Sequence, residues 1–119
     1  MLTDAQVRRW LTNFHDPERL ADPAMRDLLR DHGRPPEGSP VAVARQAATL
    51  LREAIEALAP APEAPRHAWR PFFVLVVSYV HAATLEVTGA RLDLSTRQVS
   101  RERTRAIRLL RGELEASPR

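Results

Sequence analysis

The chain has 119 residues and no cysteine, so it is long enough for one packed domain, and disulfides and cysteine-based zinc sites are excluded. Its formal net charge is +3, and every one of its 18 basic residues is Arg. Residues 1–65 carry eight Arg and ten acidic side chains, a net charge of −2, whereas residues 66–119 carry ten Arg and five acidic side chains, a net charge of +5. This uneven charge predicts two regions with different tasks, the second of them suited to an anionic partner.

No segment of the sequence predicts export or insertion into a membrane. The first ten residues lack an apolar signal region. The longest apolar run, Phe72–Val80, is far shorter than the ~20 residues that a membrane-spanning helix needs. We therefore expect a cytoplasmic protein without a membrane partner.

Catalytic chemistry is not predicted either. The four His are scattered without the spacing of metal ligands, and the four Gly are too dispersed for a phosphate-binding loop. His15 beside Asp16 could form a catalytic pair, but its place at a helix end before proline favours a surface histidine near a cap. We expect no enzyme activity, no catalytic residue, no cofactor and no metal.

Capping residues and prolines predict the helices of the front half. We expect helices at about 4–13 and 23–32, a short helical turn through residue 20 between them, and a long helix at about 40–58. Their starts follow Thr3, Asp16-Pro17, Asp22-Pro23 and Ser39-Pro40. The long helix carries a continuous apolar stripe from Val43 to Leu58, which must bury against other helices or against a partner.

Because of this stripe, we assign residues 1–58 to protein association, either in a homodimer or with a different partner protein. Together with Trp10 and Phe14 it presents more apolar surface than two front helices can easily cover. The front half is also near neutral or acidic, so copies of it do not repel each other strongly. The alternative is a monomeric bundle in which the stripe packs on Phe72–Val80.

A proline-rich linker at residues 59–67 is expected to separate the front helices from residues 68–119. Its first seven residues, Ala59–Pro65, include three prolines. The run Phe72–Val80 that follows is aromatic and β-branched, which favours a strand. Arg70-Pro71 before it is typical of a helix start, so we expect a helix at about 71–83. A strand here would instead indicate a winged-helix arrangement.

Two helices joined by a tight turn are predicted from residue 84 to residue 110. The first runs to about residue 92, and Asp93-Leu94 forms the turn. Ser95 can cap the second helix, and Gln98, three residues on, completes a capping box. Gly89 lies where a larger side chain would keep the second helix from crossing closely. The expected fold is all-α, a helical bundle of five to six helices with a C-terminal helix-turn-helix.

The second helix of this pair has one apolar and one polar face. The apolar side chains recur at helical spacing and predict a buried stripe: Val99, Ala106, Ile107, Leu110 and Leu114. Residues 95–111 also carry six Arg against one acidic residue, Glu102. Arg can bind guanine or phosphate through two hydrogen bonds, so this basic face predicts nucleic-acid binding. The alternative interpretation is a solvated helix face that keeps the protein soluble. The expected DNA-binding residues are Thr96, Arg97, Gln98, Ser100, Arg101, Thr104, Arg105 and Arg108.

This segment resembles the helix-turn-helix of bacterial sigma-factor region 4 and of LuxR-type regulators. The run Leu92-Asp93-Leu94-Ser95 stands where those families show Leu-Gly-Ile-Ser, and Arg97-Gln98-Val99 follows where their recognition helices lie. The chain departs from the pattern at Asp93, which replaces the turn glycine. It departs again at Glu102-Arg103, where an apolar residue is usual. A wider similarity to an N-terminal helical module of bacterial regulators involves 14–17, 50–58 and 79–80.

The resemblance implies a DNA-binding transcriptional regulator, or the DNA-binding module of one, whose second helix contacts bases in the major groove of double-stranded DNA. The competing interpretation is a helical adaptor whose helix-turn-helix binds a protein instead of DNA. Exposure of the face formed by Arg97, Ser100, Arg101 and Thr104 distinguishes the two, because burial of that face would exclude a groove-binding role.

Overall fold

The computed structural model describes residues 1–116, which are entirely helical apart from their connections and contain no strand. The all-α class is therefore confirmed. The α-helices are α1 (Asp4–Thr12), α2 (Pro17–Leu20), α3 (Pro23–Asp31), α4 (Pro40–Glu56), α5 (Arg70–Leu75), α6 (Leu85–Leu92) and α7 (Thr96–Ala116). These described residues thus hold seven α-helices, more than the five to six expected, because the short turn predicted through residue 20 forms a helix of its own, α2.

The front helices begin where their capping residues predict. The side chain of Thr3 accepts a hydrogen bond from the Gln6 amide, and Gln6 caps back, which completes a capping box at α1. Asp22 and Ser39 cap α3 and α4 without a return hydrogen bond, since their side chains accept from the amides of Met25 and Ala42, and each is followed by proline in the first turn. Each cap satisfies an amide that has no partner within its own helix. The predicted end of α4 was wrong by two residues, since the helix stops at Glu56.

The apolar run that follows the linker is helical, so the strand and the winged-helix alternative are excluded. A 3-10 turn, Arg66–Trp69, leads into α5, and the predicted linker is therefore shorter than 59–67. From Val76 to Val80 the helix widens into a π-helical segment, in which the His81 amide donates to the Val76 carbonyl at 2.9 Å. The helix ends there, short of the predicted residue 83, because Ala82 adopts a left-handed conformation with φ 55°.

One hydrophobic core joins residues from both sides of the linker. It contains Trp10 of α1, Leu51 of α4, Leu75 of α5 and Ile107 of α7, all of which are buried. The predicted regions 1–58 and 68–119 therefore share a core, whatever tasks they perform. The apolar stripe of α4 is buried inside the chain, with Leu51 completely inaccessible, so it no longer motivates self-association.

Polar contacts also tie the C-terminal half of α7 to the front helices. The Arg111 guanidinium donates to the Asp4 carboxylate at 2.6 Å, and His32 Nε2 lies 2.9 Å from the Leu114 carbonyl oxygen. His15 has a similar structural task, because its Nε2 lies 3.0 Å from the Val80 carbonyl oxygen. Its neighbour Asp16 caps α2, so His15 and Asp16 each have a structural contact of their own, as expected for a histidine beside a helix cap.

Candidate nucleic-acid interface

The connection between α6 and α7 is three residues long, from Asp93 to Ser95. Thr84 caps the start of α6 by accepting a hydrogen bond from the Val87 amide at 3.1 Å. Asp93 ends α6 in the left-handed conformation, with φ 58° and ψ 48°, and the Leu94 amide then donates to the Gly89 carbonyl at 2.8 Å. Asp tolerates this conformation better than most residues, which explains how it stands where the families named above show glycine.

Gly89 allows α6 and the turn to approach each other as closely as they do. A β-carbon at this position would lie 2.5 Å from the backbone oxygen of Leu94 and 3.5 Å from a methyl carbon of Val99. The first distance is far below van der Waals contact, and a backbone oxygen cannot rotate out of the way. The predicted need for a small residue at position 89 is therefore confirmed, but the close contact is with the turn, and the contact with Val99 of α7 is an ordinary one.

The start of α7 is fixed by the predicted capping box. The Ser95 side chain accepts from the Gln98 amide at 3.1 Å, and Gln98 Oε1 accepts from the Ser95 amide at 2.8 Å. Gln98 was predicted to contact DNA, but its carbonyl oxygen is thus occupied by the cap. The cap holds the first turn of α7 in place, although residues 95–98 are all exposed.

The two halves of α7 differ in burial. Between residues 96 and 105 only Val99 is fully buried, with Glu102 and Arg103 partly covered, whereas the half from residue 106 to residue 114 carries four buried residues of the core. The predicted buried stripe is confirmed. The predicted DNA-binding residues are all exposed on this one helix: Thr96, Arg97, Gln98, Ser100, Arg101, Thr104, Arg105 and Arg108.

Neighbouring carboxylates divide the four predicted DNA-binding arginines into two groups. Arg105 lies 3.7 Å from Glu102, and Arg108 lies 4.0 Å from Asp4, so part of each charge is compensated within the chain. Within residues 1–116, no carboxylate oxygen lies within 4.0 Å of Arg97 or Arg101. These two side chains lie one helical turn apart near the start of α7, and they are the stronger candidates for an anionic ligand.

Two residues in the middle of α7 depart from the family pattern, Glu102 and Arg103, and both face the body of the protein. The Arg103 guanidinium lies 5.3 Å from the centre of the Tyr79 ring and donates to Ser78 Oγ at 3.3 Å. Ser78 is buried beside Thr88 of α6, so Arg103 joins the π-helical segment to the helix pair. The Glu102 side chain is only 18% exposed, and its carboxylate is largely withdrawn from the surface that Arg97 and Arg101 present.

A second group of arginines was not predicted. Arg66, Arg70 and Arg91 line one cleft beside the α6–α7 connection. They are separated by up to 25 positions in the sequence, and no local pattern links them. The sequence did indicate that further basic residues lie outside α7, because the six Arg between residues 95 and 111 account for only part of the ten Arg in residues 66–119.

Other kinds of site have little support in the part of the chain that the structure describes. No group of three or more His, Asp or Glu side chains there is arranged to hold a metal ion. Among residues 1–116, no helix is both long enough and apolar enough to cross a membrane. The chain matches no protein-family model, and neither a curated protein nor a solved structure matches it significantly. The resemblance to sigma-factor region 4 and LuxR-type regulators therefore remains a prediction.

Proposed function

We propose that this protein is a cytoplasmic DNA-binding transcriptional regulator, in which α6 and α7 form a helix-turn-helix and α7 enters the major groove. One observation carries the proposal: all eight predicted contact residues are exposed on α7, seven of them in its N-terminal half, while four residues of its C-terminal half are buried in the core. The major groove is ~12 Å wide and admits an α-helix presented in this way.

The charge of the exposed face supports the same function. Arg97 and Arg101 have no carboxylate within 4.0 Å among residues 1–116, so both guanidinium groups can bind phosphate or the edge of guanine. Ser100 and Thr104 lie between and beyond them with exposed side chains, and hydroxyl groups hydrogen-bond to several bases. The Thr104 hydroxyl donates to the Ser100 carbonyl at 3.2 Å, and its oxygen retains the capacity to accept from a base.

The test begins with selection of a duplex from a random library, followed by fluorescence anisotropy on the selected and on random duplexes across a salt series. The wild type should bind both, with an affinity that falls steeply with salt because bound counterions are released. Arg97→Ala and Arg101→Ala should each cost about 1–3 kcal/mol on the selected site and reduce its preference over random DNA.

Arg45→Ala is the matched control for these variants. Arg45 is exposed on α4, in the front half, and has no carboxylate within 4.0 Å among the described residues. It should leave DNA affinity almost unchanged, apart from the small effect of one distant charge. A wild-type protein that binds no duplex in low salt, or binds independently of salt, would refute the proposal.

One observation favours the adaptor function as a second candidate. Leu109 of α7 is 45% exposed, and Val87 of α6 is 41% exposed, so the helix pair also presents apolar side chains to solvent. A helix that binds a protein partner can bury exposed apolar side chains of this kind in a groove of that partner. Leu109→Ser should then abolish capture of the partner without an effect on DNA, whereas a DNA-binding protein should tolerate this substitution.

A further inference from the structure

A cleft of about 360 Å³ lies between the start of α5 and the end of α6. Its lining combines basic and apolar side chains: Arg66, Arg70, Phe73, Arg91, Leu92 and Asp93. None of these belongs to the face of α7 described above. The cleft is nevertheless adjacent to that face, because Asp93, which lines the cleft, begins the connection that Ser95 completes.

The three arginines of the cleft are not compensated within the described chain. Among residues 1–116, no carboxylate oxygen lies within 4.0 Å of Arg66, Arg70 or Arg91, and Asp93 is the single acidic residue in the lining. Like charges that share a cleft repel each other, and a bound anion relieves this repulsion. Guanidinium groups are suited to phosphate because they present paired donors in a fixed plane.

Helical structure and aromatic packing hold the cleft in shape. The Phe73 ring stacks on Trp69, with centroids 5.5 Å apart and planes inclined by 24°, and it remains 41% exposed. Arg70 starts α5, and Arg91 lies in the last turn of α6, so both backbones are fixed by helical hydrogen bonds. The Phe73 ring and Leu92 provide an apolar surface on which the aliphatic parts of the arginines can rest.

We propose that this cleft holds a phosphate of the DNA backbone beside the bases that α7 contacts, an inference that rests on the proposed DNA-binding function. Asp93 and Thr96 are three residues apart, so the wall of the cleft and the start of α7 are separated by at most about 11 Å. The major groove is ~12 Å wide and is bordered on both sides by phosphates. A duplex that receives the start of α7 can therefore present one of these phosphate rows to the cleft.

The proposal predicts a separation between positioning and base-reading arginines. Phosphate contacts fix the register of a protein on DNA and carry no sequence information, whereas base contacts determine specificity. Removal of the cleft cations should weaken binding to all duplexes by a similar factor. Removal of Arg97 should instead reduce the preference for the selected site.

The test compares the double variant Arg66→Gln/Arg91→Gln with the control Arg8→Gln/Arg45→Gln. All four arginines are exposed, and both variants remove two positive charges. The cleft variant should bind selected and random duplexes more weakly by a similar factor, with a salt slope smaller by about one for each phosphate that the cleft no longer binds. The control should retain the wild-type salt slope. Phosphate ethylation interference should reveal one or two backbone positions that matter to the wild type and no longer matter to the cleft variant.

The outcomes separate this inference from the proposed function. If the wild type binds DNA in a salt-dependent manner and the cleft variant matches the control in slope and interference pattern, the cleft proposal is overturned and the function of α7 stands. If the wild type binds no duplex, both fall. If a fluorescent peptide of alternating Glu and Leu binds, and the cleft variant fails to bind this peptide while it binds DNA normally, the cleft belongs to an acidic protein partner and the proposal is overturned.

Discussion

Replacing Gly89 with alanine tests whether α6 and the turn approach as closely as the structure places them. The added β-carbon would lie 2.5 Å from the Leu94 backbone oxygen, so α6 and the α7 connection must separate. Overpacking of this kind costs about 1–3 kcal/mol, and contact with a fixed backbone oxygen places the cost near the upper end. Alanine also favours the helix over glycine by about 1 kcal/mol, which offsets part of this cost. The expected net loss in the free energy of unfolding is about 2 kcal/mol.

Gly112 of α7 supplies a matched control for this substitution. It also lies within a helix, but it is exposed, and nothing lies within 4 Å of an added β-carbon. Gly112→Ala should therefore gain about 1 kcal/mol from helix propensity alone. The two identical changes thus have opposite signs, with a difference of about 3 kcal/mol.

Urea unfolding followed by far-UV circular dichroism measures both values, because the midpoint and the slope give the free energy of unfolding. Duplex affinity should be measured for both variants at a temperature where each is fully folded, since a displaced α7 should bind DNA more weakly even when it is folded. Equal stabilisation by Gly89→Ala and Gly112→Ala would refute the close crossing.

Four further changes test individual interactions. Ser95→Ala should lower the free energy of unfolding by about 1 kcal/mol through loss of the α7 cap, as measured in urea. Ala82→Gly should raise it by up to about 1 kcal/mol, because Ala82 holds a left-handed conformation that glycine adopts without strain; an unchanged midpoint would contradict this. Arg103→Ala should cost about 1 kcal/mol because it removes the cation from the Tyr79 ring, whereas Arg101→Ala should cost nothing measurable in the same assay. Leu51→Glu should abolish the folded state, and a folded variant with only a changed sedimentation coefficient would show that Leu51 lies in an interface instead.

The helix starts were predictable because their determinants are local. A capping side chain and a proline act on amides within the next three residues, so Thr3 and Ser39 could be assigned from neighbouring positions alone. The crossing at Gly89 and the cap at Ser95 are local in the same sense. The π-helical segment was not predictable, because it depends on the burial of Val77, Ser78 and Tyr79 against distant elements, which has no local sequence signal.

The tasks of the individual arginines depend on distant residues. Arg101 and Arg103 lie two positions apart on one helix, yet only Arg103 is covered, because Ser78 and Tyr79 of the π-helical segment lie beneath it. Arg108 is partly compensated by Asp4, more than a hundred positions earlier. Charge counts along the sequence therefore identify the basic half of the chain, but they cannot identify which arginines remain free to bind an anionic ligand.

The continuity of α7 couples its exposed half to the folding of the whole chain. The helix spans 21 residues, about 31 Å, and its last turns lie among the side chains of α1 and α4. A ligand bound at the exposed half is released when the core melts, so its binding energy adds to global stability. At a hundredfold excess over the dissociation constant this linkage amounts to about 2.7 kcal/mol. Amide hydrogens in α4 that exchange only through global unfolding should then exchange about a hundred times more slowly, even though the ligand never touches that helix.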